Sequence, residues 1–254
     1  MNIEALFKYG SLNEYSESVF ATPTVWFATP SSLNDPFECR PWFTFNGSQA
    51  QVVEVLARFL RRANPHMAPN DVTGLAVSIY LEGRHHDPKT WENLRSDVMA
   101  RLSSDIGMYC LSKTNTNILM WSHYGRNHEG YCLEFEATDF TPVFGEAQPV
   151  LYADEFPAVD FFNTPHDKQV DLIFLTKFIG WRYEEEYRVI DHQAGAGMHA
   201  YPPELLRSVT FGLRMPEGAR QQIRAWVSKR GYDVRFYEAS IDDREFKIVV
   251  TEVA

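Results

Sequence analysis

The fold is decided by an alternating segment in the second half of the chain, Trp181-Arg182-Tyr183-Glu184-Glu185-Glu186-Tyr187-Arg188-Val189-Ile190. Successive side chains on a β-strand point to opposite faces, so Glu184, Glu186 and Arg188 share one face. Tyr187 and Val189 share the other face, and if they face the core, the charged trio faces a cleft or solvent. We therefore predict a strand over the last five residues of the segment.

Further strands flank this segment on both sides. Short runs rich in aromatic and β-branched residues predict strands at Ile106–Ser112, Gly130–Phe135, Pro149–Ala153, Ser208–Leu213, Asp233–Tyr237 and Glu245–Val253. Two helices are predicted among them. Leu172–Ile179 is apolar enough for a buried helix. Pro216–Arg230 has Pro in its first turn and Gly231 just past its end, an asymmetry typical of helices.

The first part of the chain predicts short strands followed by helices. Ala5–Tyr9 and Thr24–Ala28 are apolar stretches typical of strands, with Leu12–Phe20 as a short helix between them. A block of helices follows, predicted at Gln49–Ala63, Asn70–Leu81 and Lys89–Ser103. We interpret residues 1–254 as a single α+β domain, with mixed, mainly antiparallel sheets and a helical insertion at about residues 49–104.

Composition narrows the classes of function. The 254 residues include 24 Lys and Arg against 34 Asp and Glu, a net charge of −10, which argues against non-specific nucleic-acid binding by the whole surface. Three cysteines without CxxC spacing argue against a disulfide framework and favour a reducing cytoplasm. The first residues do not resemble a signal peptide, and no apolar run approaches ~20 residues. We expect a cytoplasmic protein without a membrane partner.

Polar side chains are crowded among aromatic ones in three clusters. Burial of polar groups costs free energy unless they are hydrogen-bonded, so this crowding favours a functional site. The clusters are Lys8-Tyr9 with Leu33-Asn34-Asp35-Pro36-Phe37-Glu38, then Met120-Trp121-Ser122-His123-Tyr124-Gly125 followed by His128 and Gly130, and then Trp181-Arg182-Tyr183-Glu184-Glu185-Glu186-Tyr187-Arg188.

In this order, the clusters resemble the signatures of a large uncharacterised bacterial domain family, with the pattern N-D-P-F-E, M-W-S-H-Y and E-x-E-Y-R. The resemblance extends from about Leu6 to Ile190. More remotely, the order of a short strand, a helix, a second strand, a helical insertion and a late acidic strand resembles the ADP-ribosyltransferase superfamily.

The remote resemblance implies an enzyme that uses NAD to modify a macromolecule or nucleotide, as bacterial toxins and phage-defence effectors do. It implies that Lys8 or Tyr9 holds the ribose and that Ser122, His123 and Tyr124 support the nicotinamide. It makes Glu186, within Glu184-x-Glu186, the catalytic carboxylate. The wider set implied to bind the cofactor is Lys8, Tyr9, Asn34, Glu38, Trp121, Ser122, Tyr124 and Arg188.

The chemistry of NAD cleavage gives the acidic residues defined tasks. Cleavage passes through an oxocarbenium-like ribose, which a carboxylate placed beneath it stabilises. Two neighbouring carboxylates raise the pKa of one of them, which provides one potential base. In an enzyme of the type that the remote resemblance implies, Glu184 helps to orient or deprotonate the acceptor. His123 is a candidate acid or base near neutral pH. The alternative for this segment is a solvated edge strand in which Glu184 pairs with Arg188.

Alternatives stay open for the other clusters and for the function. Trp121 is either a stacking platform for a flat ligand or a buried residue at a helix start, and Asp35 is either functional or a cap of backbone amides. A non-catalytic module that binds a nucleotide or a nucleic-acid end is the second hypothesis. The third is a metal-dependent hydrolase or nuclease built on His123, His128 and the carboxylates. The spacing of the two histidines is not that of a helical zinc pair, and we assign no residue as a metal ligand.

Overall fold

The structure is a computed structural model that describes the backbone of residues 3–253 and the side chains of residues 3–100 and 103–253. The strands are β1 (Ala5–Gly10), β2 (Thr24–Phe27), β3 (Trp42–Thr44), β4 (Gly107–Ser112), β5 (Tyr131–Glu136), β6 (Gln148–Pro149), β7 (Leu151–Ala153), β8 (Ala158–Asp160), β9 (Thr176–Phe178), β10 (Glu186–Asp191), β11 (Gly197–Ala200), β12 (Leu206–Phe211), β13 (Arg235–Ile241) and β14 (Ile248–Val253). The α-helices are α1 (Ser16–Ala21), α2 (Gln49–Ala63), α3 (Pro69–Leu81), α4 (Glu92–Asp105), α5 (Ile118–His123), α6 (His166–Phe174) and α7 (Glu217–Val227).

Within residues 3–253, eight of the strands form one mixed sheet in the order β14-β13-β12-β5-β1-β4-β10-β6. Neighbouring strands are antiparallel, except that β12 and β13 are parallel and are joined through α7. One face of the sheet buries apolar side chains such as Leu6, Phe135 and Val209. The predicted α+β fold with mainly antiparallel sheets is therefore confirmed.

The sheet splits beside β4, and this split positions the site. On one side β4 pairs along its whole length with β10. On the other side, Ser112 pairs with Phe7 of β1, and Met108 pairs with Ala28, the residue that follows β2. Backbone groups two residues apart on a strand point the same way, so those of Cys110 face the gap between β1 and β2. The Lys8 Nζ donates to the Cys110 carbonyl across this gap (2.8 Å).

Helices α2, α3 and α4 occupy residues 49–105 and pack around a second apolar cluster, which includes Val52, Val72 and Trp91. Helix α2 begins with a capping box, in which the Ser48 side chain and the Gln51 side chain each bind the other's backbone N–H. In residues 3–253, none of the helices combines the length and the apolar character that crossing a membrane requires.

Two interpretations of the sequence are wrong. The predicted helix over Leu172–Ile179 is instead the end of α6 followed by β9, which pairs with β7 in parallel. A continuous apolar run fits either a buried helix or a buried strand, and this run contains the end of one and the start of the other. The edge-strand alternative for the acidic segment also fails, because β10 lies between β4 and β6.

Candidate functional site

Five charged side chains form a buried ion network at the start of β10: Glu38, Lys177, Glu184, Glu186 and Arg188. The Lys177 Nζ lies 2.5 Å from Glu184 Oε2 and 2.9 Å from Glu186 Oε2. It also lies 3.1 Å from Glu38 Oε1. Three carboxylates therefore surround one ammonium group.

Arg188, which lies on β10 two residues after Glu186, completes the network. Its Nε donates to Glu186 Oε1 (2.7 Å) and its Nη2 to Glu186 Oε2 (2.9 Å), a bidentate pairing. The Nη2 group also donates to Glu38 Oε2, and Nη1 donates to the Phe174 carbonyl (2.7 Å). Arg188 is fully buried, so these bonds replace its hydration completely.

Local backbone geometry brings Glu184 and Glu186 to the same place. Glu184 ends a 3₁₀ turn, Glu185 adopts a left-handed conformation (φ 43°), and β10 begins at Glu186. The Ser112 hydroxyl donates to the Glu184 carbonyl (2.7 Å). The Glu186 N–H donates to the Tyr152 hydroxyl (2.8 Å). The two carboxylates thus meet through a turn, and not through the regular alternation of one strand.

The two carboxyl groups of the Glu184-x-Glu186 motif differ in acidity. Burial raises the pKa of Glu186, but the nearby Arg188 and Lys177 charges outweigh it and hold that pKa at about 2. For Glu184, burial outweighs the attraction of Lys177, so its pKa is raised above its ordinary value. Glu186 is therefore a fixed negative charge, and Glu184 is the carboxyl group that takes up a proton more readily.

A chain of two hydrogen bonds links residues of the first and second clusters to Glu184 from outside the network. The Tyr124 hydroxyl donates to Glu184 Oε1 (2.6 Å), and the Asn34 side-chain amide donates to the Tyr124 hydroxyl (3.2 Å). Burial and the bond to Glu184 both raise the pKa of Tyr124, which keeps its hydroxyl protonated as a donor. The three sequence clusters therefore meet at Glu184.

A cavity of about 260 Å³ lies at the split in the sheet, with the ion network in its wall. Its lining includes most of the predicted site residues, namely Lys8, Tyr9, Asn34, Glu38, Tyr124, Glu184, Glu186 and Arg188. Lys177, Cys110 and the half-exposed Trp26 line it as well, although the sequence did not single them out as site residues.

Three predicted site residues do not line this cavity, namely Trp121, Ser122 and His123. Trp121 is fully buried, packs edge-on against Tyr9 and donates to the Asn115 carbonyl (2.7 Å), so it is no platform for a ligand. Ser122 lies outside the lining of the cavity and binds the Ile118 carbonyl and the His128 ring. The structure thus agrees with the alternative of a helix that begins close to a buried Trp.

His123 lines a second, larger pocket of about 890 Å³, which shares Asn34 and Lys177 with the first cavity. The His123 ring lies among aromatic neighbours, with centroid distances of 6.4 Å to Trp181 and 6.2 Å to Tyr183. Phe37, Phe156 and Phe178 also line this pocket, so several aromatic rings lie in its wall.

Asp35 acts as a cap, as one alternative from the sequence holds. Its Oδ1 accepts from the Phe37 N–H (2.8 Å), and its Oδ2 accepts from the Trp181 indole N–H (2.7 Å). The described part of the chain contains no group of three or more His, Cys, Asp or Glu residues arranged to hold a metal ion. The carboxylates that do converge are occupied by Lys177 and Arg188.

Lys177 is the main residue that the sequence analysis missed. It lies in the apolar run Leu172–Ile179, where a lone Lys is itself a signal, because a buried ammonium group needs anionic partners. The sequence also contains the partners, three buried glutamates, but their distance along the chain gives no hint of contact. The pairing depends on β9, which lies within the run predicted as a helix, and on the turn after it.

Fold and site together define an α+β protein in which a buried network of carboxylates and cations lines a cavity. Residues 120–189 match the sequence model of a family described as a protein of unknown function, DUF2971. This segment includes the last four residues of α5, Lys177 and the first residues of β10, whereas Asn34 and Glu38 lie outside it. The prediction of an uncharacterised family is confirmed for this segment. No curated protein and no solved structure gives a significant match to the chain.

Proposed function

We propose that the chain is an ADP-ribosyltransferase-like enzyme that cleaves NAD at the nicotinamide–ribose bond and transfers ADP-ribose to an acceptor. The observation that carries the proposal is the pair Glu184 and Glu186 in the wall of the cavity at the split sheet. One carboxylate is held ionised and the other takes up a proton readily, which are the two properties that glycosyl transfer requires of its acidic residues.

In this reaction the bond between C1′ of the ribose and the nicotinamide nitrogen breaks, and nicotinamide leaves with the electron pair. An oxygen or nitrogen atom of the acceptor then forms the new bond to C1′. Glu186 stabilises the positive charge that develops on the ribose, and Glu184 accepts the proton that the acceptor loses. Tyr124 and Asn34 hold Glu184 in place through the bonds described above.

Lys8 is a candidate to bind the phosphates of NAD at the edge of the cavity. Its ammonium group bonds to the Cys110 carbonyl and lies 4.8 Å from the centre of the Tyr109 ring. Within residues 3–253, no carboxylate forms an ion pair with Lys8, whereas Lys177 and Arg188 are surrounded by carboxylates. Lys8 is therefore available to pair with an anion that enters this cavity.

The test is incubation of the purified protein with NAD, with nicotinamide release followed by mass-resolved chromatography. We expect Glu184→Gln and Glu186→Gln each to reduce release at least ~100-fold. Glu185→Gln is the matched control, because Glu185 is exposed and lies between the two. Circular dichroism shows whether each variant is folded. Release by folded Glu184→Gln or Glu186→Gln at the rate of Glu185→Gln contradicts the proposal.

One observation favours a second function, a nucleotide-binding module without catalysis. Both Glu186 oxygens are already engaged by Arg188 and Lys177, so part of its charge is neutralised before any substrate binds. A module of this kind binds NAD with measurable heat in calorimetry and releases no nicotinamide over hours, with or without candidate acceptors. That pair of results selects the module over the enzyme.

A further inference from the structure

We propose that the larger pocket binds the adenosine half of the dinucleotide, while the smaller cavity takes the nicotinamide–ribose half. This inference rests on the proposed function for its placement of NAD, but the affinity of the pocket for adenosine compounds is separate from catalysis. The two spaces share Asn34 and Lys177 in their walls, so a ligand that extends from one into the other passes these residues.

The size of the pocket fits a nucleoside. Ligand pockets usually enclose about 300–1,000 Å³ and are mostly apolar, with a few polar groups that fix orientation. The larger pocket encloses about 890 Å³, whereas the smaller one encloses about 260 Å³. The smaller cavity is therefore too small for a whole dinucleotide, and the larger pocket provides the remaining room next to it.

The aromatic lining favours a flat ring as the occupant. Phe37, Phe156 and Phe178 are 62%, 50% and 53% exposed, although they line one concave surface. Trp181 is fixed by the bond from its indole N–H to Asp35 (2.7 Å). A nucleobase has a flat aromatic face and gains favourable contacts when it stacks on such rings.

The polar groups of the pocket fit the rest of the nucleotide. Arg40 lines the pocket, is exposed, and forms no ion pair with any described residue, so its guanidinium is available for a phosphate. Asp154 and Glu155 line it too, and carboxylates accept hydrogen bonds from ribose hydroxyls and from the exocyclic amine of adenine. Adenosine phosphates present all of these groups together.

Calorimetry with three ligands tests the proposal. We expect 5′-AMP to bind at least ~10-fold more tightly than ribose 5-phosphate, because ribose 5-phosphate lacks the base that stacks. Phe156→Ala should weaken AMP binding ~10-fold. Phe140→Ala, the same change at a residue that is 97% exposed and outside the pocket, should leave AMP binding unchanged. Arg40→Gln should weaken binding of AMP but not of adenosine, which has no phosphate.

Each result has a defined meaning. The proposal is overturned if AMP does not bind, if AMP and ribose 5-phosphate bind equally, or if Phe156→Ala and Phe140→Ala behave alike. AMP binding that depends on Phe156, in a protein that releases no nicotinamide from NAD, supports the adenosine site and contradicts the enzyme. Nicotinamide release with the same KM for NAD in Phe156→Ala and Phe140→Ala supports the enzyme and overturns the adenosine site.

Discussion

The two adjoining cavities are built by opposite means. In the smaller one, each of the six carboxylate oxygens of the ion network binds a cation or a hydroxyl group. In the larger one, aromatic rings are left at least half exposed, and Arg40 forms no ion pair with any described residue. The first cavity thus has its charges fixed before a ligand arrives, whereas the second offers apolar surface that only a ligand covers.

This difference separates residues that the fold needs from residues that it does not. Glu38, Lys177 and Arg188 join the loop after β2 to β9 and β10, so the network connects two distant parts of the chain. A charge left without its partner in such a place is costly. Phe37 and Phe156 lie outside the apolar clusters of the core, and their removal leaves the core intact.

The largest effect is expected for the centre of the network. Arg188→Gln removes a fully buried cation and leaves Glu38 and Glu186 with less compensation, which should lower the free energy of unfolding by about 3–5 kcal/mol. Urea denaturation measures this loss. Arg182→Gln is the matched control, since Arg182 is exposed and should change stability by less than about 0.5 kcal/mol. Equal losses in the two variants mean that the network does not hold the fold together.

The sequence predicted the charged cavity better than the aromatic one, for a physical reason. Alternation correctly placed Glu186 and Arg188 on one face, because that rule concerns neighbours along a strand. It did not predict the left-handed turn at Glu185, which brings Glu184 to the same place. Phe37 and Phe156 are far apart in the chain, and each resembles an ordinary core residue on its own. The two rings line the same pocket only because two separate loops place them there.

The same limit explains why two alternatives stayed open for Trp121 and why Lys177 was missed. An aromatic residue in a polar cluster fits a ligand platform and a core position equally well, and only packing against Tyr9 decides between them. Lys177 lies in an apolar run that predicted a helix, so its contacts with the three carboxylates were not expected. The strands of the main sheet were largely predictable, since alternation and β-branched residues are local signals.

A smaller effect is expected from acid at Glu186. Its pKa in the folded protein is about 2, below the ordinary value of 4.5, so its contribution to stability is present above pH 4.5 and is lost as the pH falls towards 2. Urea denaturation across this range should show a weaker pH dependence in Glu186→Gln than in the wild type. Glu185→Gln should keep the wild-type dependence. The same dependence in all three proteins contradicts the assignment of Glu186 as a fixed charge.

The smallest effect is expected at the larger pocket. It tests whether the exposed aromatic rings there are dispensable for the fold. Phe156→Ala should change the free energy of unfolding by less than about 0.5 kcal/mol, because the ring is half exposed and belongs to no core cluster. Phe174→Ala, at a fully buried residue of α6, should cost about 3–5 kcal/mol in the same urea experiment. If the two losses are similar, Phe156 is part of the core, the pocket is not an open surface, and its assignment to adenosine loses its basis.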